Sequence, residues 1–139
     1  MNRYQKTLLL FVAAVTAVSW IRAPYPNEML LQHIPTVLAL LVWPLLARRF
    51  PLSDTAATCL VAFLLLHVLG ARYLYSNVPY DDWARALFGG ELSSWLGWRR
   101  NHFDRFVHLS YGLCAAAVLF RYFREARSWR ARWAARYAS

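Results

Sequence analysis

Four long apolar runs divide this chain: residues 7–21, 29–47, 55–71 and 106–120. Residues 37–43 and 60–66 are apolar on every helical face. A surface helix of a soluble bundle keeps a polar stripe at 3.6-residue spacing. These runs therefore predict helices surrounded by lipid, with buried helices of a soluble bundle as the alternative. A helix needs ~20 residues to cross ~30 Å of hydrocarbon. The second and third runs come within that range alone. The first and fourth do so once flanking aromatics and arginines are counted, because arginine snorkels to the lipid surface. The expected architecture is an all-α, polytopic transmembrane helical bundle of about four spans, over residues 4–22, 29–47, 55–73 and 105–122. Pro35 and Pro44 lie inside the second span and are expected to kink it.

The segment 72–105, between the third and fourth spans, is too long to lack structure of its own. Asp81 to Phe88 reads as a short helix, with Asp81 as its cap and Trp83 and Leu87 on one face. Gly89-Gly90 ends it. Trp95 and Trp98 follow, so the segment predicts an interfacial helix anchored on the outer surface. An ordinary solvated loop is the alternative.

Composition agrees with lipid. Of 139 residues, 59% are hydrophobic and 17% charged, with a net charge of +9. That excludes a disordered chain, and two cysteines exclude a disulfide framework. Cys59 and Cys114 fall within spans and read as small buried hydrophobes. Charge then sets orientation. With a cytoplasmic N-terminus, cytoplasmic segments carry +8 of the net charge and outer segments +1. The positive-inside rule thus favours both termini in the cytoplasm. A cleavable signal peptide is an alternative for the first run, because Arg3 and Lys6 precede it and Ala17-Val18-Ser19 resembles a cleavage site. The organisation read is a transmembrane domain over 1–125 and a basic cytoplasmic tail over 126–139. The tail arginines are expected to lie against anionic inner-leaflet lipids. The interleaved Trp129, Trp133 and Tyr137 suit a membrane interface. The lipid bilayer is thus the expected partner, and no nucleic acid is expected.

Candidate chemistry gathers near the outer face. His33, His67 and His108 each lie about one helical turn below the expected outer end of a span, roughly 6 Å deep at 1.5 Å per residue. Equal depth would let them meet in one layer. Asp104 and His108 share a face, which Tyr111 extends, and Gly70 and Gly112 would allow close helix approach. Ionisable groups at this depth are costly and mark function. The layer is open to three readings: a metal site using His67, His108 and His33, a haem site, or a polar pocket for a lipid headgroup. Neutral histidines hydrogen-bonding between helices are the plain alternative. Arg100, Asn101 and Arg105 are ligand-binding candidates, because arginine grips phosphate bidentately. Neither a G-x-S-x-G elbow nor a phosphate-cradling glycine loop is present. The reading therefore leans away from an enzyme, and no cofactor is predicted.

Two long patterns carry a resemblance. One is His67-x-x-Gly70-Ala71-x-Tyr73-x-Tyr75-Ser76-x-Val78-Pro79. The other is Arg100-Asn101-His102-Phe103-Asp104-Arg105-Phe106-Val107-His108 with Gly112. Together they resemble the YjdF-like family of bacterial inner-membrane proteins, over nearly the whole chain to about Glu125. The resemblance implies a polytopic protein of the bacterial inner membrane, without an established activity. It also makes His67, Tyr73, Tyr75, Asp104, Arg105 and His108 the candidate cluster. The chain departs from the family pattern in three ways. Arg72 stands where members often carry His, and Val68 where many carry an acidic residue. Members are typically longer, so this chain looks like a truncated or diverged member. Asp104-Arg105-x-x-His108 before an apolar helix is also weakly similar to VanZ-like membrane proteins, which are associated with the cell envelope.

Overall fold

The computed structural model describes residues 1–49, 51–116, 119, 120 and 123. Among these residues there are six helices and no strand. They are α1 (Arg3–Ser19), α2 (Pro26–Arg49), α3 (Asp54–Arg72), α4 (Tyr80–Phe88), α5 (Leu92–Trp95) and α6 (103–116). The basic tail 126–139 and its arginines lie outside the described residues.

The helix starts follow capping chemistry. Asn2 caps α1 by accepting from the Gln5 backbone N–H at 2.9 Å, and Ser53 caps α3 by accepting from Ala56 at 3.1 Å. Pro26 opens α2, where its missing N–H costs nothing.

Polar bonds at both ends fix α1 and α3 as parallel neighbours. At the first end, Asp54 Oδ1 accepts from Asn2 Nδ2 at 2.8 Å and from Gln5 Nε2 at 2.9 Å. At the other end, Arg72 donates to the backbone carbonyls of Ser19, Ile21 and Arg22. Those carbonyls are left open by the end of α1, and the guanidinium fork satisfies them. This explains why α1 stops at Ser19 rather than running to 22. Trp20 to Arg22 form a turn, with Arg22 at φ 50.

α2 runs back in the opposite direction and packs on α3, with Val12, Trp43, Ala57, Val61 and Leu64 in one core. Its buried positions are Met29, His33, Thr36, Trp43 and Ala47. The same helix exposes Leu30, Leu31, Ile34, Leu38, Leu41 and Leu45. His33 and Thr36 thus sit inside while large aliphatics lie outside, unlike a soluble core helix. Only 22% of the α2 span is buried, against 44% for α3. Both helices are long and apolar enough to cross a membrane, at 23 and 19 residues. α1, with 17 residues, is about 25 Å long at 1.5 Å per residue.

A second core joins α6 and the preceding loop to α3. Val78, Phe103 and Val107 are buried against Phe63, Leu66 and Leu69. Phe63 meets Tyr111 with ring centroids 5.2 Å apart. Phe103 lies near the C-terminal end of α3, whereas Ala115 and Leu119 share a groove with Leu52 and Ala56 at its start. α6 is therefore antiparallel to α3.

The expected short helix is present as α4, ended by Gly89 in the left-handed region at φ 74. Its cap differs from expectation. Asp81 makes no cap bond; its carboxylate accepts instead from the Ser93 backbone N–H at 2.8 Å, tying α4 to α5. Trp83, Leu87 and Phe88 leave an exposed apolar face, while Arg85 pairs with Asp82 and Glu91.

Candidate functional site

Between α3 and α6, beside the turn after α3, is a cleft of about 430 Å³. It is lined by Phe63, His67, Tyr75, Asp104, His108 and Tyr111, with Val107. Four of the six residues of the expected cluster meet here: His67, Tyr75, Asp104 and His108.

His67 is held at both nitrogens. Pro35 has no N–H for the Leu31 carbonyl and opens α2 at that point. One residue along, the Gln32 carbonyl accepts from His67 Nε2 at 3.0 Å. A carbonyl carries no proton, so Nε2 is the protonated nitrogen of the neutral ring. Nδ1 must then accept, and the Tyr75 hydroxyl donates to it at 2.5 Å. The relay runs one way, from phenol to imidazole to carbonyl.

Gly70 makes this relay possible. A Cβ there would meet the Tyr75 ring at 2.5 Å. The glycine therefore admits an aromatic ring against α3 rather than a neighbouring helix. The expected role of Gly112 in close approach is not seen: no described atom lies within 4 Å of its would-be Cβ. The turn carrying Tyr75 is strained, with Leu74 at φ 54 and Tyr75 at φ 60. Two side-chain-bearing residues in the left-handed region cost roughly 1–2 kcal/mol each. The Tyr75–His67 bond and a 2.7 Å bond from the Tyr75 N–H to the Gly70 carbonyl hold them there. Burial pushes the Tyr75 phenol up to about 12.

On the facing helix, His108 Nδ1–H donates to the Asp104 backbone carbonyl at 2.7 Å. Its Nε2 has no partner among the described residues. Asp104 Oδ1 is buried without a hydrogen-bond partner.

The remaining candidates sit elsewhere. His33 Nε2 bonds Ser19 Oγ at 3.1 Å between α1 and α2, and its ring lies edge-on to Trp20. The three histidines expected in one layer are thus divided among different partners. Among the described residues, no group of three His, Cys, Asp or Glu side chains is arranged to hold a metal ion. Tyr73 packs against Trp83, with the Arg72 guanidinium over its ring. Asn101 is structural: its Nδ2 donates to the Val78 carbonyl at 2.8 Å and its Oδ1 accepts from the Phe103 N–H at 2.9 Å. Arg100 and Arg105 are exposed and line no part of the cleft.

Sequence reasoning missed two contributors. Phe63 precedes His67 by four residues and so shares its face. Pro35, expected only to kink α2, follows Leu31 by four, so the carbonyl it leaves without a donor is the one next to Gln32.

Comparison with known proteins agrees with this membrane-type architecture. The chain is 28% identical over 123 residues to inner membrane protein YjdF of Escherichia coli strain K12. The match covers 85% of this chain and 55% of that relative, so the chain spans about half the length of the curated relative it matches. No solved structure matches. The family model described as "Predicted membrane protein (DUF2238)" matches residues 4–138, and the chain belongs to that family of membrane proteins.

Proposed function

We propose that this protein crosses the bacterial inner membrane four times, with both termini cytoplasmic, and binds the headgroup of an envelope lipid in the α3–α6 cleft. The continuity of that cleft carries the reading. Below the polar chamber, an apolar groove of about 380 Å³ runs along the same two helices, and Phe63 and Tyr111 line both. Each volume falls in the ~300–1,000 Å³ range of ligand pockets. A polar chamber opening into an apolar groove matches the shape of a lipid. The alternating directions of α1, α2, α3 and α6 support an even number of crossings, with α1 and α6 as the two further spans. The exposed apolar face of α4 supports its lying flat on the outer surface. The residues 1–125 form the membrane domain and the arginines of 126–139 rest on anionic lipid. Arg105 follows Asp104 directly and is free to meet a phosphate at the mouth. The role proposed is binding rather than catalysis, with no cofactor.

Native mass spectrometry of the detergent-released protein tests the binding. The wild type is expected to retain phospholipid, and Ala115→Trp, which fills the groove, to lose it. Equal retention by both refutes the reading. Reporter fusions after Trp98 and Ser139 are expected to report opposite sides of the membrane; same-side signals refute the four-span topology.

A further inference from the structure

The polar chamber has an unusual hydrogen-bond balance. Tyr75 spends its proton on His67 Nδ1, so only lone pairs remain on its oxygen. His67 spends its own on the Gln32 carbonyl. His108 spends its Nδ1 proton on the Asp104 carbonyl, which leaves its Nε2 without a partner among the described residues. The Asp104 carboxylate accepts only, and its Oδ1 has no partner. The guanidinium groups of Arg100 and Arg105 do not line the chamber. Tyr111 is the one lining side chain with a hydroxyl proton to offer. The chamber is therefore rich in acceptors, carries a carboxylate, and is poor in donors.

We infer that the α3–α6 cleft selects a phospholipid with a protonated primary amine on its headgroup, the ammonium donating to Asp104, Tyr75 and His108 while one acyl chain lies in the groove below. This rests on the lipid-binding reading and adds the identity of the headgroup. An ammonium supplies three N–H donors and the complementary charge. A phosphate or glycerol headgroup supplies no positive charge, and a quaternary ammonium supplies charge without donors. The groove is long enough for a chain. From Ala56 to His67 the cleft follows α3 for about 16 Å at 1.5 Å per residue.

The test separates charge from donor count. Full-length protein is placed in nanodiscs containing equal parts of ethanolamine, N-methylethanolamine, N,N-dimethylethanolamine, choline and glycerol phospholipids with identical acyl chains. Co-released lipid is then measured by native mass spectrometry. Retention is expected to fall stepwise as each N–H is replaced by methyl, with ethanolamine at least fivefold over choline and glycerol lowest. Asp104→Asn is expected to bring the series to within twofold. The wild-type series needs no variant, so a misfolded Asp104→Asn leaves the inference testable. Equal retention of all five headgroups, lost together in Ala115→Trp, overturns the amine selectivity and leaves lipid binding standing. Absence of any retained lipid, or a dimer of this chain covering the cleft instead, overturns both.

Discussion

Gly70→Ala probes the relay most directly. The new methyl would sit 2.5 Å from Cε1, 2.6 Å from Cδ1 and 3.2 Å from Cγ of Tyr75. Carbon atoms prefer ~3.5–4.0 Å, so the ring must retreat by about 1 Å. Spinning the ring cannot relieve the 3.2 Å contact, because Cγ lies on its axis. The base of the ring is fixed by a backbone already in the left-handed region. Overpacking of this kind costs ~1–3 kcal/mol. Breaking the phenol–imidazole bond adds ~0.5–1.5 kcal/mol. Alanine's better helix propensity offsets about 1 kcal/mol. The net expectation is a loss of about 1–3 kcal/mol. With Tyr75→Ala the ring is gone, and Gly70→Ala is then expected to stabilise by up to ~1 kcal/mol through propensity alone. Reversible unfolding in detergent of the four members of this double-mutant cycle measures the change of sign. An equal effect of Gly70→Ala in both backgrounds refutes the packing argument.

Tyr75 also predicts a pH dependence. Its phenol is held at about 12, above the ordinary 10, so the unfolded chain loses this proton first. Stability is therefore expected to fall as pH rises from 10 through 12. The fall should be steeper in the wild type than in Tyr75→Phe by thermal unfolding; parallel curves would contradict it. Arg72→Ala removes donors from the carbonyls of Ser19, Ile21 and Arg22. About 1–3 kcal/mol of local stability is expected to be lost, read as faster amide exchange over residues 17–22 with residues 5–10 unchanged. Asp54→Ala acts at the opposite end, stranding Asn2 Nδ2 and weakening Gln5. It is expected to speed exchange over residues 5–9 and spare 17–22. Uniform exchange changes in either variant would refute the two-ended clamp.

The sequence by itself determined the helices and their medium. Long apolar runs favour helices, and a membrane favours them further because every backbone group must bond internally there. Local rules also placed α4 and its glycine stop, because a left-handed terminal residue is a property of a few adjacent positions. The two long motifs indicated which side chains would gather around the turn after α3. Partner choice was beyond reach of spacing. Depth along a helix is one coordinate, and rotation about its axis is the other. His67 and His108 turn toward one cleft, whereas His33 turns toward Ser19 and Trp20. Tertiary structure decided that Gly70 accommodates a ring, that Asn101 serves the backbone, and that Arg72 holds the end of α1. It also decided the direction of each proton in the cleft. A histidine's donor and acceptor are fixed by the groups that reach it, and those come from α2 and the turn after α3.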